Sequence, residues 1–128
     1  MNHHVQLISV VDDSDIIRRA FRATLEHAGY RVTVFASGKE FLDRGFQEPA
    51  DCILLDLAMP EPNGIEVLRK LQDLASTTPV IVVTGTDNAA LLANADCDIV
   101  VAILKKPIGP DALLAAVDEA LCLSSHDG

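Results

Sequence analysis

Five short apolar runs set the fold of this chain: Gln6 to Val11, Tyr30 to Phe35, Asp51 to Asp56, Val80 to Thr84 and Ile99 to Leu104. Brief apolar runs rich in β-branched residues and bounded by turn residues read as strands. The segments between them carry helical spacing. Ser14 can cap a helix whose face holds Ile16, Ile17, Ala20, Phe21, Thr24, Leu25 and Ala28, and Gly29 sits where that helix stops. Ser37 can cap a short helix containing Phe41 and Leu42 and ending near Gly45. Met59 to Gly64 is turn chemistry, followed by a helical stripe of Ile65, Val67, Leu68, Leu71 and Leu74. Asp87 to Ala95 reads as an Ala-rich helix with few apolar anchors. Pro110 stands in the first turn of a closing helix, Asp111 to Leu123, before a polar tail. Five strand–helix units imply an α/β fold, with a parallel sheet covered on both faces. Ligands of such sheets bind outside the carboxyl ends of the strands.

Composition narrows the function. The 128 residues suit one domain, with an ordered core expected at about 5–123. No apolar run reaches the ~18–20 residues that span a bilayer, and Met1-Asn2-His3-His4 does not lead into a signal sequence. Cys52, Cys97 and Cys122 are odd in number and lack CxxC spacing, which predicts reduced thiols in a cytoplasmic protein. Ten Lys and Arg against 19 Asp and Glu leave a net charge of −9. That balance argues against nucleic acid as a direct partner, because such binding needs a positive face.

The strand ends carry the chemistry. The first strand runs into Asp12-Asp13, the third ends in Asp56, the fourth in Thr84, and the fifth is stopped by Lys105-Lys106-Pro107. In a parallel sheet these ends share one edge. Clustered carboxylates repel one another, which raises a pKa or recruits a cation. Their hard oxygens suit Mg²⁺, which takes a few carboxylates and keeps several waters. Beside such an ion, Asp56 can act as a nucleophile, Lys106 as a positive charge for a phosphoryl oxygen and Thr84 as a hydroxyl donor. That is the inventory of in-line phosphoryl transfer. Any one of these residues alone is better explained as a turn former, a strand-end hydroxyl or a surface lysine. Their joint placement at four strand ends is what points to a site.

The order VVDDS, LLDLAMPEPNG, VIVVTGT and ILKKP resembles the receiver domain of bacterial response regulators in two-component systems, the CheY-like superfamily. The likeness runs from about Val5 to Leu123, and Phe35 to Leu42 is similar to regulators of the FixJ type. The resemblance implies a flavodoxin-like sheet in strand order 2-1-3-4-5 with five helices. It implies that Asp56 is the phosphoacceptor and that Asp12, Asp13, Asp56 and the Ala58 carbonyl hold Mg²⁺. It further implies that Thr84 is the switch hydroxyl, that Lys106 binds phosphate, and that the Lys106–Pro107 peptide is often cis. The partners it implies are a sensor histidine kinase or phosphotransfer protein and an output domain or downstream protein; a homodimer stays open. The chain departs from the family at Ile103, where many receivers carry Tyr or Phe, and in Asp98-Ile99-Val100 before the fifth strand.

Three other readings compete with a phosphorelay switch. A Mg²⁺-dependent phosphohydrolase with an aspartyl nucleophile usually needs an acid two residues beyond it, where Ala58 stands, so only self-phosphorylation and autodephosphorylation are expected. A flavodoxin-like cofactor binder needs a phosphate-cradling loop where Asp12-Asp13 stands. A module used only for interaction would have a broken cluster. Ala58 and Thr86 offer little to orient an attacking water, which predicts slow loss of phosphate.

Overall fold

The computed structural model describes residues 5–85 and 98–125. The strands are β1 (Leu7–Val11), β2 (Arg31–Phe35), β3 (Cys52–Asp56), β4 (Val80–Thr84) and β5 (Val100–Lys105). The helices are α1 (Asp15–His27), α2 (Gly38–Arg44), α3 (Gly64–Asp73) and α4 (Pro110–Ser125). All pairings are parallel, in the order β2-β1-β3-β4-β5. The α/β class and strand order match the expectation. Four helices lie among the described residues; the helix expected at 87–95, Thr86 and Cys97 fall outside them.

Strand alternation sorts the apolar runs into two cores. Ile8, Val10, Cys52, Leu54, Ile81 and Val83 face Phe21 and Leu25 of α1 and Leu113, Val117 and Leu121 of α4. Val11, Ile53, Leu55, Val80 and Val82 face Phe41 of α2 and Val67, Leu68 and Leu71 of α3. This is the period of two that solid apolar runs conceal, because both faces are buried. Phe41 meets Phe35 edge-on with ring centroids 5.4 Å apart, and its burial is worth ~2–3 kcal/mol. Cys52 is fully buried, and its desolvation pushes the thiol up to about 12, so it packs rather than reacts.

The two edge strands, β2 and β5, depart from the two-sided pattern. β5 is an edge strand whose side chains alternate, with Val101 36% and Ile103 50% exposed. The apolar spelling of Ile99 to Leu104 hid this, since edge strands leave alternate residues uncovered.

The helix starts follow from local hydrogen bonding. Ser14 Oγ accepts from the Ile17 N–H at 3.3 Å, and Ser37 Oγ from the Glu40 N–H at 3.0 Å. Asn63 and Glu66 form a reciprocal capping box at α3. Met59 to Gly64 has turn chemistry, and within it Asn63, three residues before Glu66, is the signature of that cap. Lys106–Pro107 is cis, as the resemblance implied, and so is Glu61–Pro62.

Two helices end in the same way with different residues. After α1, the Gly29 N–H donates to the Glu26 carbonyl and the Tyr30 N–H to the Leu25 carbonyl, with Gly29 at φ 100°. After α3, the Ala75 N–H donates to the Gln72 carbonyl and the Ser76 N–H to the Leu71 carbonyl, with Ala75 at φ 55°. Both are Schellman ends, which favour glycine at the left-handed residue. A methyl group there is strained. Ala75→Gly is therefore expected to stabilise the protein by about 1 kcal/mol, seen as a rise of roughly 3–4 °C in Tm. An unchanged or lower midpoint would show that the alanine is accommodated without strain.

Candidate functional site

Parallel register delivers the polar strand ends to one place. Val11 pairs with Leu55, Asp56 with Val83, and Thr84 with Lys105. Asp12 follows β1 directly, and the Lys106 N–H donates to the Thr84 carbonyl at 2.8 Å just beyond β5. Alternation turns Lys105 outward and leaves Lys106 half-buried. The Lys106 ammonium lies 3.3 Å from Asp12 Oδ2 and 3.5 Å from Asp56 Oδ2. Asp12 and Asp56 are only 1% and 2% exposed, whereas Asp13 is exposed.

Each buried carboxylate is half satisfied by its own turn. Asp12 Oδ1 accepts from the Ser14 N–H at 2.9 Å, and Asp56 Oδ1 accepts from the Ala58 N–H at 3.1 Å. Among the described residues, buried Asp12 Oδ2 has no hydrogen-bond partner and lies at ion-pair distance from the Lys106 ammonium. A buried carboxylate oxygen left without a hydrogen bond is unfavourable in a protein interior. Asp12, Asp13 and Asp56 each offer an oxygen, all within 4.8 Å of one another. Opposite ligands of an octahedral Mg²⁺ lie about 4 Å apart. The donor set is hard, anionic and open on the Asp13 side, so it fits such an ion.

Burial and the neighbouring Asp12 carboxylate push Asp56 up from 3.8 to about 6, against the lowering pull of the Ala58 N–H and Lys106. The Thr84 hydroxyl is buried and donates to the Gly85 carbonyl at 3.1 Å. Among the described residues nothing lies within 4 Å of a Cβ placed on Gly85. Ile103 lies on the strand paired with β4, opposite Val82, and is half exposed. The expected site residues thus meet at one sheet edge: Asp12, Asp13, Asp56 and Lys106 in contact range, with Ala58 on the turn after β3 and Thr84 at the end of β4.

One participant escaped the sequence reading. Arg18 Nη1 donates to the Asp12 main-chain carbonyl at 2.8 Å, and its other nitrogen pairs with Asp15 at 3.3 Å. Its side chain is 16% exposed. It braces the turn that carries both acids. In the sequence it is one of two adjacent arginines on an amphipathic helix, and nothing local separates it from Arg19.

The family model described as a response regulator receiver domain matches residues 8–118. The chain belongs to the response regulator receiver family. It is 32% identical over 124 residues to the response regulator protein TmoT of Ectopseudomonas mendocina, covering 97% of this chain and 56% of that one. It is 34% identical over 121 residues to the transcriptional regulatory protein FixJ of Azorhizobium caulinodans, covering 94% and 57%. This receiver spans about half the length of the curated relatives it matches. Among solved structures, a CheY-like receiver domain protein from Methanospirillum hungatei superposes with a TM-score of 0.86 at 30% identity, covering 98% of this chain and all of that one. Among the described residues no helix is long and apolar enough to cross a membrane.

The raised Asp56 carboxyl predicts a pH dependence in metal-free buffer. Between about pH 4 and pH 6 the unfolded chain releases this proton before the native protein does. Stability contributed by the group is therefore full below pH 4 and falls as pH rises through 6. Asp56→Asn removes the charge and is expected to stabilise the receiver by on the order of 1–3 kcal/mol at pH 7, with little difference at pH 4. Urea unfolding with a chelator at both values is the measurement. Equal stability of the two proteins at pH 7 would contradict it.

Proposed function

We propose that this receiver is a phosphorylation-controlled switch that accepts a phosphoryl group on Asp56 from the phosphohistidine of a sensor histidine kinase or phosphotransfer protein. The observation that carries this reading is the pair of buried carboxylates, Asp12 and Asp56, bridged by one ammonium, Lys106, at the carboxyl edge of the sheet. An Asp56 oxygen attacks phosphorus in line, a P–O bond forms, the P–N bond to the donor imidazole breaks, and the imidazole nitrogen leaves with the electron pair. Mg²⁺, held by Asp12, Asp13, Asp56 and the Ala58 carbonyl, would offset negative charge on the transferring group. Lys106 then pairs with a phosphoryl oxygen, which frees Asp12 from its shared contact.

The new group carries roughly −1.5 to −2 charges and strong acceptors. A hydroxyl has one proton to donate. Thr84 gives its proton to Gly85 at 3.1 Å in the unphosphorylated protein, so engaging the phosphoryl group means releasing that carbonyl and moving the loop it belongs to. Ile103 follows by repacking, without a hydroxyl to offer a partner. The signal passes to an output domain or downstream protein in the cytoplasm. An aspartyl phosphohydrolase is disfavoured because Ala58 supplies no acid for a leaving group.

Intact mass after incubation with Mg²⁺ and a small acyl phosphate tests the assignment. One phosphate should appear on the wild type and none on Asp56→Asn, and Asp13→Ala should lose metal-dependent labelling while remaining folded. Labelling of Asp56→Asn at the wild-type rate would sink the reading. Hydrolysis of the phosphoprotein should be slow, because the Ala58 methyl cannot orient water. Ala58→Asn is expected to shorten the phosphate lifetime several-fold in a decay time course; an unchanged lifetime would show that other groups set it.

A further inference from the structure

Gly38, the first residue of α2, is buried with no side chain to bury. A Cβ placed there would lie 2.5 Å from the Pro62 carbonyl oxygen, 2.8 Å from Val67 Cγ2 and 3.1 Å from Pro62 Cγ. Gly64, the first residue of α3, repeats this one step nearer the site. A Cβ on it would lie 2.5 Å from Leu57 Cα and 2.7 Å from the Asp56 carbonyl oxygen, and its N–H donates to the Leu57 carbonyl at 3.2 Å. Main chain thus packs on main chain from α2 to the end of β3: Gly38 on Pro62, then Gly64 on Leu57 and Asp56. Main-chain atoms in close packing cannot swing aside as the tip of a flexible side chain can. The loop confined by these contacts includes Ala58, whose N–H holds Asp56 Oδ1 at 3.1 Å.

We propose that Gly38 is a positioning residue for the phosphoacceptor. Its bare Cα lets α2 seat against Pro62, and that seating sets where the 57–63 loop presents Ala58 and how it turns the Asp56 carboxylate. The proposal rests on the reading of Asp56 and Ala58 given above. A methyl group at 38 must displace Pro62, and the displacement passes through Gly64 to Asp56 and Ala58, two of the four residues that would hold the metal.

Gly45 supplies the control. A Cβ there would lie 2.5 Å from both Phe41 Cδ1 and the Phe41 carbonyl oxygen, at the opposite end of α2. Gly45→Ala therefore strains the same helix without pressing on the loop. The experiment compares wild type, Gly38→Ala and Gly45→Ala by amide NMR without metal and by Mg²⁺ titration. Gly38→Ala should move the Ala58 and Met59 amide signals in the metal-free protein and weaken Mg²⁺ binding about tenfold, the range seen for groups that orient metal ligands. Gly45→Ala should lose stability yet keep the wild-type affinity. Should Gly38→Ala fail to fold, Gly38→Ala/Val67→Ala takes its place: it relieves the 2.8 Å contact, keeps the 2.5 Å one, and should show the same weakening. Wild-type affinity in the folded Gly38 variant, or equal losses of affinity in the Gly38 and Gly45 variants, would overturn the proposal alone. Absence of Mg²⁺ binding by the wild type would overturn the reading of the site and this proposal with it.

Discussion

Two carboxylates taken almost entirely out of water share one ammonium, and the rest of the molecule is organised around that imbalance. Asp12 and Asp56 repel each other, Lys106 offsets part of the repulsion from 3.3 and 3.5 Å, and Asp12 Oδ2 has no hydrogen bond among the described residues. Such a cluster lowers the stability of the native state. It persists because the strands that present it are anchored elsewhere: β1, β3 and β4 are buried along their whole length, with a packed layer on each side. The apolar sheet supplies stability that the polar edge gives up. An incoming cation or anion then meets groups already oriented for it.

Most of this was legible because it is written in local patterns. Val80–Thr84 is a strand with the bounds its apolar run suggested, and Ser14, Ser37 and Gly29 stand at the helix ends where their chemistry placed them. The site was legible for a related reason. A parallel sheet needs no side-chain detail to bring Asp12, Asp56, Thr84 and Lys106 to one edge, and the family motifs marked the same residues. What stayed hidden depends on contacts between distant segments. Arg18 looks like any helical arginine until its guanidinium is found on the Asp12 carbonyl. Gly38 looks like a residue after a cap until Pro62 is found against it. The exposure of Ile103 could not be read from an apolar run, because lying at the sheet edge is a property of the whole strand order.

The departures from the family gather away from the acidic cluster. The carboxylates, the lysine and the strand-end hydroxyl are all in place, while Ile103 holds an aliphatic side chain, half exposed, where many receivers carry an aromatic one. A branched aliphatic residue can fill or vacate space but cannot exchange a hydrogen bond. Under the proposed switch, communication along β5 would be a matter of volume and apolar contact. The sheet ladder places Ile103 opposite Val82 and Lys105 opposite Thr84, two residues further along the same pair of strands.

The sheet also acts as a partition. It is a single layer of strands, and among the described residues its two cores share no side chain: one belongs to α1 and α4, the other to α2 and α3. Substitutions in helices on opposite sides of it, more than about 10 Å apart and with no shared partner, should add in their effects on stability, whereas neighbours on one strand, such as Val10 and Val11, sit close enough to couple. The outer faces of α1 and α4 can therefore be repacked without touching the contact of Gly38 on Pro62, which lies on the other side of the sheet.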